Sequence, residues 1–404
     1  MIKKIGGLMI SNILFGFSQM IIIVFLNKYG GISAAGQYTL ALAIVAPITV
    51  LFNMGLNLHY NTSKKDVNIN DYLYIRYITG ILVIIISVII GMILNHEKSI
   101  IIIILLVSIL KFIESLFEIN YAFLQKKEMH NSIAYSKIIR SMIIIVWILI
   151  VSFLLEFNLI IMLFGFILLN FIYLYIYDVK NINKLKEKKA VRLHEVKYIV
   201  ISSIPLAISI FIDSLNVNFQ RLIIEKYISI EEVGIYASLT TVMISGQLLI
   251  SAFLTYFLPK LNKAVKLNDI NKYINVLVVM IMTSMILGVF SLLSVILLGD
   301  YIVLILFTEE YIKYKSLLIF IMVTGLFWYI SGTLYYGVIA LNLYKAQMIS
   351  LIISFIINFI FTWILVQSIG IRGAAIGLML SMISRCICLS LVIIIEIKKL
   401  KRIR

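Results

Sequence analysis

The sequence predicts an all-α integral membrane protein of about twelve transmembrane helices, in two six-helix bundles related by a pseudo-twofold axis. Three observations carry this: the composition, a series of uncharged runs, and a stretch that occurs twice. Hydrophobic residues make up 62% of the 404 residues and charged residues only 13%. The mean hydropathy of +1.08 lies outside the range of soluble domains. Twelve apolar runs, each near the length of roughly 20 residues that a bilayer demands, fall at 6–26, 36–58, 72–94, 99–124, 133–155, 157–177, 198–222, 234–258, 274–299, 314–340, 345–367 and 371–396. The pair at 133–177 is divided only by Glu156-Phe157-Asn158.

The repeated stretch runs from Asn27 to Tyr38 and returns 198 positions later, from Glu225 to Tyr236. Lys28/Lys226, Tyr29/Tyr227, Ile32/Ile230, Gly36/Gly234 and Tyr38/Tyr236 match without a gap. Each copy leaves one apolar run and enters the next, so each is predicted to be a short loop between a first and a second membrane helix. Two similar halves of parallel topology, related by an axis along the membrane normal, are an architecture of transporters that rock about a central site.

The net charge of +16 is unevenly placed. With the N-terminus inside, the inward segments 1–5, 59–71, 125–137, 178–197, 259–273, 342–345 and 397–404 hold about 24 of the 35 Lys and Arg residues. The opposite segments hold only Lys28, Lys98, Lys226, Lys313, Lys315 and Arg372. Both termini are therefore expected in the cytoplasm. The charge serves topology and anionic headgroups, and no nucleic-acid partner is expected. Lys3 and Lys4 ahead of an apolar run, with Ser33-Ala34-Ala35-Gly36 behind it, imitate a cleavable leader. The run is longer than a leader core and Gly36 has its counterpart in Gly234, so it is expected as a retained helix.

The longest internal hydrophilic segment, 178–197, carries seven basic residues, among them Lys184, Lys186, Lys188, Lys189 and Arg192. It separates an N-terminal six-helix bundle, 1–177, from a C-terminal bundle with a basic tail, 198–404. No outward loop is long enough to form a domain, the longest lying near Gly299 to Lys315. That argues against a membrane polymerase or ligase of external polysaccharide. No G-x-x-x-x-G-K-[ST] loop is present, so no ATPase is expected. Cys386 and Cys388 project about 200° apart on a helix and are expected as packing residues. The histidines, His59, His96, His130 and His194, form no metal-ligand spacing. No cofactor, metal or catalytic residue is predicted.

Charge within the apolar runs marks the candidate site, since ionisable groups at membrane depth face a protein interior or a wet cavity. Lys111, Glu114 and Glu118 fall within about 60° of one another on the fourth helix. They read either as a self-neutralising pair that fastens helices or as a cation for an anionic substrate beside a proton-accepting carboxylate. Asp213 shares the seventh helix with Asn216, Asn218, Gln220 and Arg221, a polar face suited to a cavity, with Arg221 expected to snorkel outward. Arg385 lies midway along the last helix beside Ser381 and Ser384. Arg140 and Arg76 lie nearer cytoplasmic ends, where snorkelling suffices. The candidate cavity cations are thus Lys111, Arg385 and Arg140, and the candidate coupling groups are Glu114, Glu118 and Asp213. Pro47 and Pro205 are candidate hinges, because each removes a helical hydrogen bond. Trp328, Tyr329, Tyr335 and Tyr336 could stack on sugar rings, although helix packing and interfacial belts explain such clusters as well.

Gly36-x-Tyr38 and Gly234-x-Tyr236 entering apolar helices resemble the pattern of the oligosaccharide flippases called Wzx. So do the segment from Asp213 through Arg221 to Gly234-Ile-Tyr236 and the stretch Gly370-Ile-Arg-Gly-Ala-Ala-Ile-Gly377. These flippases belong to the multidrug/oligosaccharidyl-lipid/polysaccharide exporter superfamily. The resemblance implies a MATE-like, V-shaped protein that is not an enzyme and that resides in the inner membrane. It implies alternating access that turns undecaprenyl-pyrophosphate-linked oligosaccharide outward for O-antigen or capsule synthesis. A polymerase and a chain-length regulator would be its protein partners and membrane lipids its surroundings. Lys111, Arg385 and Arg140 would meet the pyrophosphate or acidic sugars. An ion-coupled multidrug antiporter of the same superfamily is the alternative, and a polysaccharide polymerase or ligase the more distant one.

Overall fold

The computed structural model describes residues 2–63, 68–154, 156–186 and 189–402, and all regular structure among them is helical. Lys188 of the basic segment lies outside these residues. The first half consists of α1 (Ile2–Phe25), α2 (Gly31–Asn53), the short α3 (Leu56–Thr62), α4 (Ile69–Ile93), α5 (Lys98–Lys126), α6 (His130–Leu154), α7 (Leu159–Tyr173) and the short α8 (Lys180–Leu185). The second half consists of α9 (Leu193–Tyr227), α10 (Ile230–Lys266), α11 (Ile270–Leu306), α12 (Lys315–Ala340), α13 (Tyr344–Ile369) and α14 (Ile371–Arg402). Eleven stretches of the described chain are long and apolar enough to cross a membrane. The first, Gly6–Thr62, is 57 residues long and contains both α1 and α2, so the twelve expected helices are all present.

The first repeated stretch is tighter than the expected loop, and the second is a short connection at residues 228–229 between α9 and α10. Leu26–Gly30 continues α1 as a π-helical turn, and Gly31, at φ 72°, reverses the chain directly into α2. That left-handed conformation costs glycine little. In the second copy Ser229 caps α10, its hydroxyl accepting the Glu232 N–H at 3.2 Å. Gly36, Gly234, Tyr38 and Tyr236 are all buried at equivalent places in α2 and α10. Asn158 divides α6 from α7 as a cap, accepting the N–H groups of Ile160 and Ile161 at 2.9 and 3.3 Å. The basic segment is likewise ordered where it is described. Asn70 and Asn68 donate to the carbonyls of Lys189 and Ala190 at 2.8 and 3.0 Å. The buried Asp71 carboxylate accepts the backbone N–H of Arg192 at 2.9 Å and its guanidinium at 3.2 Å. The chain entering α9 is thus stapled to the start of α4.

The chain forms two compact units, Met1–Asn218 and Phe219–Arg404, with the division inside α9. In the first unit, α3 is set off from α2 by two left-handed residues, Met54 and Gly55. Gly55 packs closely on the Leu206 side chain of α9, which would have to shift to admit a β-carbon there. His59 of α3 completes the contact, its ring bonding the Tyr72 hydroxyl at 2.8 Å and the Ser202 hydroxyl of α9 at 3.0 Å. In the second unit α13 and α14 meet at Gly373 and Gly377, where a β-carbon would strike the Leu365 carbonyl and Thr362 respectively. Lipid tails are as apolar as leucine, so helix association in a membrane depends on such close backbone approach rather than on hydrophobic burial.

Candidate functional site

In unit 1, α5 places Lys111, Glu114 and Glu118 on one face, and Lys111 pairs with Glu114 at 2.6 Å. One turn further along, Glu118 faces open space, while Arg76 of α4, Glu114 and Lys111 of its own helix, and Arg140 of α6 all bear on its charge. Lys137 of α6 acts on it as well. Four basic side chains therefore surround two carboxylates. Arg140 is 3% exposed, and its guanidinium lies 3.8 Å from the Phe117 ring centre and 4.7 Å from that of Phe15. Its Nε donates to Asn170 of α7 at 3.2 Å. A cation between two rings and an amide is fixed in place.

Arg76 is fully buried. One terminal nitrogen donates to the side chain and carbonyl of Asn53, while Nε and the other terminal nitrogen have no hydrogen-bond partner in the protein. A buried guanidinium with spare donors is suited to an anion or to water. Beside this cluster lies a cavity of about 470 Å³ lined by Asn12, Asn57, Asn61, Glu118, Gln125 and Lys137, among others. Lys137 donates to Asn12 at 2.5 Å and Asn61 to Gln125 at 3.2 Å. Amides, which both donate and accept, suit the hydroxyls of sugars.

The structure brings together four of the predicted residues, Lys111, Glu114, Glu118 and Arg140, and adds Arg76 and Lys137. Snorkelling explains neither Arg76 nor Arg140, since both point into the bundle. Arg76 had a detectable signal: it lies on a polar and small-residue stripe, with Tyr72, Thr79, Gly80 and Ser87, that is buried along α4. Asp213 is half-buried on α9 in the same unit, and Pro47 is buried within α2. Pro205 is exposed on α9, which continues through it, as α10 does through Pro259.

Arg385 belongs to unit 2, where it is buried on α14. Arg221 is only 6% exposed and acts on the buried Tyr236, so it too points inward rather than snorkelling. Nearby, Gln220 donates to Asn358 at 2.9 Å and Thr362 donates to the same oxygen at 2.8 Å. Tyr329 is a packing residue, buried with its hydroxyl on the Met243 carbonyl at 2.7 Å. Cys386 and Cys388 are free thiols. Among the described residues no group of three or more metal-ligating side chains occurs.

This fold, with charge gathered inside a helical bundle, defines a multi-pass membrane protein with the architecture of a transporter. Solved structures of low sequence identity share it. The lipid II flippase MurJ, in an inward closed conformation, matches with a TM-score of 0.77 and 16% identity over 99% of this chain and 90% of that one. An inward-facing multidrug resistance MATE transporter of the MOP superfamily matches with a TM-score of 0.71 and 13% identity over 97% and 96%. The chain belongs to the polysaccharide biosynthesis protein family, whose model matches residues 1–265. A relative from Staphylococcus aureus, the capsular polysaccharide biosynthesis protein CapF, is 28% identical over 94% of this chain and 96% of its own length.

Proposed function

We propose that this protein is a flippase that carries undecaprenyl-pyrophosphate-linked oligosaccharide repeat units from the cytoplasmic to the outer face of the inner membrane, by alternating access. The observation that carries this reading is the cationic cluster of unit 1 beside a cavity rich in amides. A pyrophosphate needs fixed positive charge, and a sugar needs donors and acceptors at close quarters. Arg76, Lys111 and Arg140 supply the first, with Arg385 of the second unit as a further cation. Asn12, Asn57, Asn61 and Gln125 supply the second. The lipid tail would stay in the bilayer while the head occupies hydrated space.

The halves 1–177 and 198–404 are the moving parts in this reading, with Pro47 and Pro205 as bending points and both termini in the cytoplasm. Protons or sodium acting through Glu114, Glu118 or Asp213 would drive the cycle, each charge gaining about 2.3 kcal/mol per 100 mV of membrane potential. The product would feed capsule or O-antigen synthesis, through a polymerase and a chain-length regulator. Deleting the gene in its host and locating the lipid-linked oligosaccharide tests the proposal. Accumulation on the cytoplasmic face, with surface polymer restored by the intact gene, is the expected result. Units already on the outer face would point to a later enzyme. Normal polymer with altered dye efflux would favour the multidrug antiporter.

A further inference from the structure

Behind the Glu118 cavity lies a second space of about 260 Å³, bordered by Ser132, Tyr177, Asp178, Asn181 and Lys184, where α8 meets the turn between α5 and α6. Each space is large enough for water. A line of buried side chains joins them. Tyr121 lines the first cavity, and its hydroxyl lies 2.8 Å from the Ser136 hydroxyl. Ser136 in turn donates to Asp178 at 3.1 Å, and Asp178 borders the second space. Ser136 is fully buried and Asp178 is 1% exposed. Asp178 lies in a π-helical turn, Leu174–Val179, that follows α7. Such a turn holds an extra residue and so re-aims the side chains that follow it, often at functional sites.

We propose that Asp178, Ser136 and Tyr121 form a proton path between the Glu118 cavity and the pocket beside α8. This rests on the transporter reading above and gives it a separate route for the coupling ion. Hydroxyls can conduct because each both donates and accepts. With Ser136 donating to the carboxylate, its oxygen is left to accept the Tyr121 O–H. In one concerted shift Asp178 takes the Ser136 proton, Ser136 takes that of Tyr121, and Tyr121 takes one from cavity water in exchange with Glu118. One proton has then left the cavity and one has arrived on Asp178, with both hydroxyls again complete. Asp178 releases its proton to water in the pocket, and rotation of the two hydroxyls resets the line.

The charges around each end suit the task. Glu118 is faced by Arg76, Lys111, Glu114, Lys137 and Arg140. Asp178 is faced by Tyr121 from α5, Arg140 from α6, and Tyr173 and Tyr177 from its own helix, with Lys184 of α8 bordering the same pocket. Arg140 acts on Glu118, Tyr121 and Asp178 alike, so its charge couples the two ends. Every member lies within unit 1. The path therefore stays intact through any cycle that moves the units as bodies, and protons leave the cavity they share with the sugar by a line of side chains too narrow for it.

The test uses the full chain in vesicles of phosphatidylethanolamine and phosphatidylglycerol with a trapped pH dye and a valinomycin-imposed potential. The intact protein should take up protons. Ser136→Ala, Tyr121→Phe and Asp178→Asn should each slow uptake by about tenfold or more. The Ser136→Ala/Asp178→Asn double variant should be no slower than the slower single, as members of one line are not additive. Ser141→Ala, off the line on the same helix, should be unchanged. Ser136→Ala and Tyr121→Phe each remove one oxygen and no carbon, so both should stay monodisperse, with melting lowered by no more than the loss of one hydrogen bond. A purely structural bond would lower melting and spare the rate. Full-rate uptake by Ser136→Ala and Tyr121→Phe, or no uptake by the intact chain above empty vesicles, overturns the path. The assay contains no oligosaccharide, so that result leaves the flippase reading standing, and failure of the deletion experiment leaves the proton result standing.

Discussion

Unit 1 buries Asp71, Arg76, Arg140 and Asp178 and turns Glu118 and Lys137 toward a cavity. Unit 2 fastens its helices mainly with neutral groups. Gln220, Asn358 and Thr362 share one network, and Ser284 meets Thr333 at 2.6 Å. Among the described residues, Arg221 and Arg385 are the charged side chains buried there. Each unit carries one copy of the repeated stretch, where one membrane helix passes into the next. A neutral interhelical bond contributes on the order of 0.6 kcal/mol, and packing can replace it. A buried charge is costly to keep and is no efficient way to hold helices together. In the flippase reading proposed above, the charges that unit 1 gathers around Glu118 are held for transport, while Asp71 fastens Arg192.

Five substitutions, at four positions, test that contrast. Arg140→Ala should have the largest effect, because it strips a buried cation from two rings, Asn170 and two carboxylates. A loss of about 3–5 kcal/mol in thermal unfolding is expected, with flipping abolished. Arg140→Lys should recover folding better than transport, since an ammonium cannot reproduce the planar stack. Lys111→Ala, in its proposed role, removes a charge-assisted contact to the substrate, and flipping should fall roughly tenfold or more. Membrane insertion should be unaffected, and a normal rate in the complemented deletion strain would refute the cationic role. Gly373→Ala, in unit 2, drives a methyl group into the Leu365 backbone and should cost about 1–3 kcal/mol of stability. The surviving folded protein should transport at the normal rate per molecule. Ser284→Ala should be smallest, near 0.6 kcal/mol by melting, with transport unchanged. A Ser284 variant that folds but does not flip would erase the distinction between the units.

The helix plan was legible because the bilayer imposes length and polarity residue by residue. The α5 face was legible for a similar reason: Lys111, Glu114 and Glu118 are neighbours through one helix, whose period fixes them. Arg76 and Lys137 join them only through the packing of α4 and α6 on α5, which spacing along the chain does not encode. Arg140 and Arg221 lie near helix ends and so look like snorkelling residues. Rings at Phe15 and Phe117 draw the first inward, and the buried Tyr236 lies beside the second. The repeated stretch was correctly located but expected as a loop, because π-helical continuation at Leu26–Gly30 leaves no mark in hydropathy. The Tyr121–Ser136–Asp178 line was not visible either, as it joins three helices through small polar groups common in any membrane chain.

The staple between Asp71 and Arg192 changes what the basic segment is for. Its far end is fastened to α4 by side chains and backbone, so the start of α9 is located by docking and not by the peptide bonds leading to it. Two polypeptides expressed together, one ending at Lys186 and the other beginning at Lys189, should therefore copurify and restore surface polymer. Asp71→Ala should abolish that reassembly while the uncut chain tolerates it. A duplicated protein that can still be assembled from separate pieces keeps open the route by which two half-sized genes could have preceded one.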